Sequence, residues 1–600
     1  MFINTENYTQ KTDFLNSVID SLPSFGGLWF PENIKKLDSK FIENLSKYNF
    51  TEIACHVLGS LLEEENTDML KNVINKAFNF PIELLSVADN LHFLETFHGP
   101  TLTFKDFGAR FMACYLEEKL NIGKVKENVN ILVSTSGDTG SAIASAFYDK
   151  KNISVTILYP HNRISKIQEL QLTTYDKNVV SYGVDDSFDK CQQFVKRSLL
   201  DNDLKGLNFV SANSINLARL LPQCLYYFYS YGLLYKKYGN KIRNKVVFVV
   251  PSGNCGNLVG GLISKRMGLP IKHFIVGQNE NDTLVRYLNT KKYNTNDTIQ
   301  TVSNAMDVGD PSNFKRIIYM YRNCPNRLFE DVKGIKIEDN STLEGISKIY
   351  DKFGYIIDPH TSVGYNASNH YINNGEYHVV ISTAHPCKFN DLIKNKIGFS
   401  VNHKNIEELF SKESKKIVIQ NNFKLFKRLL LGDINNITLI GMPGSGKSSI
   451  SKILSNQLSY ELIELDEDIE KKYKKPIPDL IKELGEDEFK NIEEEITTSI
   501  NFNNDNKIIS TGGSVVYSDK GMQYLKNNNS IIVFLNSDLS DIIKRTNNFT
   551  NRGILFNNKT QEELFEERNI LYKKYCDISI DTSVNTIETV CEIIRCFMKK

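Results

Sequence analysis

The sequence lacks most of what marks a specialised chain. Its charges nearly cancel, 72 Lys and Arg against 71 Asp and Glu, for a net +1 over 600 residues. That excludes a broad field for nucleic acid or for an anionic membrane. Ten cysteines are scattered from Cys55 to Cys596 with no C-x-x-C pair. Neither a disulfide framework nor a zinc ribbon is encoded, and a reducing compartment is expected. No apolar run approaches the roughly 18 residues of a spanning helix, and MFINTENYTQ has no basic stretch leading into an apolar core. His98, His360 and His385 form no H-E-x-x-H pair, so no histidine metal site is expected. These absences predict a cytoplasmic protein without membrane or nucleic-acid partners; a homo-oligomer is compatible with them.

What is present is ordinary globular composition, 41% hydrophobic and 24% charged, in a chain too long for one core. Residues 1 to 96 carry helical patterns, clearest at Tyr48 to Leu62 and Asp68 to Ala77, broken by Pro23, Gly26 and Gly27. From Val129 the texture changes. Val129 to Val133 is a short apolar run, followed by a Ser/Gly/Asp/Thr turn and a helical stretch from Ser141 to Phe147. The same order recurs at Ile153 to Leu158 and at Val246 to Val250, the latter leading to a helix from Leu258 to Met267. Alternating strands and helices mean an α/β fold with a parallel sheet covered on both faces. The Asn-rich patches at Asn501 to Asn506 and Asn527 to Asn529 read as loops.

Two turns stand at strand ends, Ser134-Thr-Ser-Gly-Asp-Thr-Gly140 and Pro251-Ser-Gly-Asn-Cys-Gly-Asn257. Small residues with free N–H groups opening a helix form anion-binding concavities, and a pair of them suits a ligand bearing a carboxylate and a phosphate. Each alone also fits an ordinary capped turn. Lys105 lies within HGPTLTFKDFGAR, His98 to Arg110, just ahead of the helical stretch Asp106 to Leu120. An amine beside a helix N-terminus meets positive partial charge, which favours its neutral, nucleophilic form. On these residues alone a solvated surface lysine fits as well.

Together with SANSINLARLLPQ (Ser211 to Gln223), MDVGDPSNF (Met306 to Phe314), DPHTSVGY (Asp358 to Tyr365) and TAHPCKF (Thr383 to Phe389), these stretches resemble the ordered motif series of threonine synthases. The resemblance covers residues 1 to about 431. It implies the fold shared with the tryptophan synthase β-subunit, PLP fold type II, two α/β domains around pyridoxal 5'-phosphate (PLP). It also implies conversion of O-phosphohomoserine and water to threonine and phosphate. Mapped onto this sequence, Lys105 is the lysine that forms the Schiff base and carries protons. Gly253, Asn254, Cys255, Gly256 and Asn257 cradle the cofactor phosphate, with Cys255 where the family has phenylalanine. Thr383 bonds the pyridine nitrogen, and Ser136, Asp138 and Thr139 line the substrate carboxylate and the cofactor hydroxyl.

Gly432 to Asn436 reads as a short joint to a second unit, 437 to 600. Ile437 to Ile440 leads into Gly441-Met-Pro-Gly-Ser-Gly-Lys-Ser448, with a helix from Ser449 to Leu458 behind it. This G-x-x-x-x-G-K-S loop in its strand-to-helix setting predicts ATP with Mg²⁺, held by Gly444, Ser445, Gly446, Lys447, Ser448 and Ser449, the Ser448 hydroxyl serving the metal. The order of later motifs resembles shikimate kinase, a P-loop α/β kinase. The resemblance places Glu464 near Mg²⁺, Asp466 at the acceptor hydroxyl, Gly513 and Arg568 on the acceptor, and Arg552 in the lid over ATP. Lys490 stands where the family has an arginine facing the shikimate carboxylate, and an ammonium cannot form the two-point fork of a guanidinium. Shikimate is therefore the acceptor that the family implies, with two alternatives: a kinase that phosphorylates homoserine to feed the synthase, or a nucleotide-binding regulatory module.

Overall fold

The computed structural model of the chain describes residues 1–23, 26–63, 65–125, 127–373, 375–503, 506–546 and 559–598. They form two compact units, Met1–Val179 with Cys191–Lys412, and Val180–Lys190 with Glu413–Lys600. All ten cysteines are free thiols. No helix among the described residues is long and apolar enough to cross a membrane.

The first unit holds a six-stranded sheet in the order Val332–Lys336, Ile271–Gln278, Val246–Pro251, Tyr377–Ser382, Leu91–Glu95, Glu83–Ala88. All neighbours are parallel except the last pair. Alternation explains why Val246–Pro251 is buried throughout. Val247 and Val249 pack with Ile346, Ile349 and Ala367 on one face, while Val246, Phe248 and Val250 join Leu258 and Leu262 on the other. A second parallel set places Val129–Ser134 between Ile153–Pro160 and Phe209–Ser211. The helix after Val129–Ser134 begins at Asp138, three residues ahead of the sequence expectation, because the turn is complete at Gly137. That residue sits at φ 133°. Residues 1 to 96 contain strands as well as helices, including Phe2–Asn4 paired with Trp29–Pro31. Three-residue strands leave no alternation to read, and Leu91–Glu95 joins the parallel sheet through Tyr377–Ser382 while pairing locally with Glu83–Ala88.

In the second unit five parallel strands run in the order Glu461–Glu464, Lys507–Ser510, Asn436–Ile440, Ser530–Asn536, Ile578–Asp581. The strand before the P-loop is the central one. Ile417–Ile419 adds antiparallel to Ile578–Asp581, and Tyr182–Val184 pairs with Ile417–Ile419. The helix Phe423–Leu431 buries Leu425, Phe426, Leu429 and Leu430 and ends at Gly432 in the left-handed conformation. Its Arg428 donates to the carbonyl of Asn529 at 2.9 Å. Phe426 of this helix packs its ring against Tyr182, and the compact units part at Lys412, ahead of the Gly432 to Asn436 stretch.

Candidate active sites

Lys105 opens the helix Lys105–Asn121. The turn before it is clasped from two sides. Asp106 accepts from the Thr101 N–H at 2.9 Å and from its hydroxyl at 2.6 Å, and Gly99 passes so close that a Cβ there would meet the Asp106 carboxylate at 2.4 Å. From the far segment, Thr383 O accepts from Phe104 N at 2.9 Å, and His385 N donates to Leu102 O at 3.1 Å. Leu102 is held at φ 59°, a left-handed conformation unusual for leucine, so the surroundings impose the bend that aims the lysine.

The amine stands in a ring of charge. Asp138 lies 4.0 Å from it and Lys388 pairs with the other oxygen of Asp138 at 2.6 Å. Burial pushes the Lys105 amine down to about 8; Asp138 opposes this, while Lys388 and Arg219 add to it. Burial works to raise the Asp138 carboxyl, yet the ammonium groups of Lys388 and Lys105 hold it well below the usual carboxylate range. Gln168 also donates to Asp138 at 3.1 Å. Both oxygens of Asp138 are thus directed at protein donors, which makes it a holder of amines. Ser136 and Thr139 are half-buried on the same turn. Gly137 cannot carry a side chain, since a Cβ would lie 2.5 Å from Gln168.

In the second turn, Asn257 donates to Pro251 O at 2.8 Å and accepts from the Ser252 hydroxyl at 2.6 Å. Asn254 accepts from Ser312 N at 3.2 Å. These side chains build the loop, leaving anion binding to backbone N–H groups that open the helix Gly256–Arg266. Cys255 takes φ 61° with its thiol buried and pushed up to about 12 by that burial. A side chain at Gly253 would strike the backbone of Met306 at 2.8 Å. A buried amine pushed down to about 8 and a turn that admits no side chain at Gly253 suit PLP.

In the second unit a cavity of about 550 Å³ is lined by the P-loop, Asp466, Gly512 to Ser514 and Arg568, and at its other end by Arg545, Thr582 and Asn585. Lys447 donates to Gly441 O at 2.8 Å and Met442 O at 3.1 Å. Burial lowers its amine to about 8, against the pull of Asp466. Ser445, Ser448 and Ser449 line the cavity with Gly444 and Gly446, both at positive φ. Two expected residues lie outside the lining. Glu464 is paired with Lys452 at 3.0 Å and is not part of the lining. Lys490 is paired with Asp487 at 2.9 Å and is likewise outside it. Arg552 falls outside the described residues.

Glu493, which sequence reading passed over, is buried against Gly512. Burial, then the charge of Asp466, raises its carboxyl to about 7. A carboxyl that is protonated more readily folded than unfolded loses stability as pH rises, here from about 4.5 to about 7. Glu493→Gln is expected to abolish that decline and to melt higher than wild type at pH 8 by calorimetry of the second unit's transition; an unchanged pH slope contradicts it.

Residues 82–383 match the pyridoxal-phosphate dependent enzyme family, flanked by matches to the threonine synthase N terminus at 1–78 and the threonine synthase C-terminal family at 361–430. The threonine synthase of Serratia marcescens is 37% identical over 397 residues, 66% of this chain and 90% of that protein. The Saccharomyces cerevisiae threonine synthase is 33% identical over 492 residues, 71% and 95% respectively. The chain belongs to the threonine synthase family.

Solved threonine synthases have the same fold. That of Escherichia coli superposes with a TM-score of 0.68 at 34% identity, covering 72% of this chain and 99% of its own. The PLP-bound threonine synthase of Brucella melitensis gives 0.66 at 28% identity, covering 72% and 98%. Residues 443–598 match the shikimate kinase family, so a threonine synthase is joined here to a shikimate kinase-like region. Within the threonine synthase unit, Lys388 is the site residue that sequence reading missed. It is fully buried and sat unremarked in the quoted TAHPCKF motif.

Proposed function

We propose that the first unit converts O-phosphohomoserine and water to threonine and phosphate, and that the second transfers phosphate from ATP to a small carboxylate-bearing alcohol. The observation that carries the first is Lys105 held beside Asp138, which is itself held by Lys388. PLP, when bound, supplies the electron sink for the Cα and Cβ protons that must leave. Lys105 Nζ accepts and returns those protons, its affinity for them set near neutrality by burial and by Asp138. Ser136 and Thr139 orient the substrate carboxylate, and the turn Gly253 to Asn257 anchors the cofactor phosphate. Thr383, whose carbonyl fixes the lysine turn through Phe104 and Thr103, is the partner for the ring nitrogen.

The second reading is supported by the cavity that brings the P-loop, Asp466, Gly513 and Arg568 together. Loop N–H groups and Lys447 bind the nucleotide phosphates, Ser448 binds Mg²⁺, and Asp466 takes the acceptor's proton. Lys447→Ala is expected to weaken ATP binding, measured by calorimetric titration of the full chain, and to abolish ATP-dependent phosphorylation while threonine formation persists. Undiminished phosphorylation in that variant contradicts the assignment. A domain that binds ATP and phosphorylates nothing is the regulatory alternative, and the same assay exposes it.

A further inference from the structure

The strap Ser303 to Asp307 reaches both strand-end turns of the first unit. Its Met306 is the backbone against which Gly253 is packed, a Cβ there falling 2.8 Å from Met306 Cα. Its Asn304 donates from Nδ2 to Gln168 Oε1 at 3.1 Å, and Gln168 Nε2 donates to Asp138 at 3.1 Å. The sense of these amides is fixed. Ser165 N–H also donates to Gln168 Oε1, at 3.1 Å, which leaves Nε2 for the carboxylate.

The middle of the strap is held by His360, a buried group that the chemistry above does not use. Ala305 N donates to its Nε2 at 3.1 Å, and its Nδ1 lies 2.6 Å from Asp358 Oδ2. A backbone N–H can only donate, so Nε2 is the bare nitrogen and Nδ1 carries the proton, which Asp358 accepts. Both neighbours select the same tautomer. Asp358 is itself fixed as the N-cap of the helix Pro359–Tyr371, accepting from the N–H groups of His360 at 3.0 Å and Thr361 at 3.1 Å. The far end of the strap is tied separately, Asp307 accepting from Asn279 at 2.8 Å and from Thr301 N at 3.0 Å. The part that touches the two turns hangs on the histidine.

We propose that His360 is a positioning residue of the PLP site: through Ala305 it holds Met306 against the turn that anchors the cofactor phosphate, and Asn304 against Gln168. This rests on the PLP reading of the first unit. Releasing the Ala305 N–H acts in two places. Gly253 loses the backbone that shapes its turn, so PLP binds less tightly. Gln168 loses the amide that steadies it, so Asp138 is held less firmly beside Lys105. A functional group keeps its geometry when the residues behind it are themselves locked by hydrogen bonds, and a helix N-cap is a rigid place to start such a chain.

The test compares two amide replacements in the full chain. Glutamine at 360 brings an amide oxygen to the Ala305 N–H, whereas asparagine is too short for that and keeps an N–H for Asp358 alone. The PLP dissociation constant is measured by equilibrium dialysis, with the thermal transition recorded beside it. His360→Gln is expected to bind PLP within about twofold of wild type, and His360→Asn about fivefold or more weakly, the worth of one hydrogen bond. Asn304→Ala cuts the Gln168 arm and spares the histidine. In the PLP-free chain it is expected to move the midpoint of Lys105 modification below about 8, because Asp138 is what raises it. Equal PLP affinities in the two His360 variants, or loss of the fold in either, overturn the positioning role while leaving the PLP site standing. An unchanged Lys105 midpoint in Asn304→Ala overturns the Asp138 arm. No PLP binding by the wild-type chain overturns the reading beneath both.

Discussion

Lys105→Ala abolishes phosphate release from O-phosphohomoserine, with a loss in kcat of at least about 10⁴-fold. The size follows from the absence of a substitute. The other amine of the ring, Lys388, is bound to Asp138 at 2.6 Å and to Thr101 O at 3.1 Å. Asp138 holds its proton far too weakly to return one to carbon near pH 7. The fold should survive, because Lys105 makes its closest ion-pair approach at 4.0 Å and truncation leaves Asp138 with Lys388. The check is phosphate release together with the thermal transition of the variant. Turnover within tenfold of wild type would remove Lys105 from the chemistry.

Lys388→Met is expected to have the second largest effect, on stability as well as turnover. It leaves Asp138 buried without its nearest counter-ion, and breaking a buried pair from one side costs about 3–5 kcal/mol. Adding Asp138→Asn removes the stranded charge and should recover much of the stability without recovering activity. The two residues also act on Lys105 with opposite sign. Lys388 lowers the Lys105 pKa and Asp138 raises it, so in the PLP-free protein Lys388→Met moves the Lys105 midpoint above about 8 and Asp138→Asn moves it below. The pH dependence of Lys105 modification by an amine-reactive reagent, followed by peptide mass, reads this directly. Shifts of the same sign in both variants would contradict the charge ring.

What the sequence made legible was contiguous. The lysine turn, the two strand-end turns and the P-loop each place their functional atoms within a few residues, so their chemistry shows in a single motif. Lys388 was in a quoted motif as well, but its meaning lies in Asp138, which is far away in the chain and reached only through the fold. The strands within residues 1 to 96 were missed because they are two to six residues long, too short for a pattern to show, although most of them pair within this stretch.

Glu493 is the instructive miss. In EDEFKNIEEE, Glu486 to Glu495, nothing in composition separates one acid from the next. Yet Phe489, Ile492 and Glu493 fall at i, i+3 and i+4, one stripe of the helix, and all three are buried. An acid on an apolar stripe is the signal that was available. Lys490, singled out for standing where the resemblance places an arginine, is paired with Asp487.

The most direct measurement is reduction of the full chain with borohydride in the presence of PLP, followed by peptide mapping. The account predicts one pyridoxyl group on Lys105, none on Lys388, and its disappearance in Lys105→Ala. Labelling at Lys388 or at another lysine, with Lys105 unmodified, would contradict it.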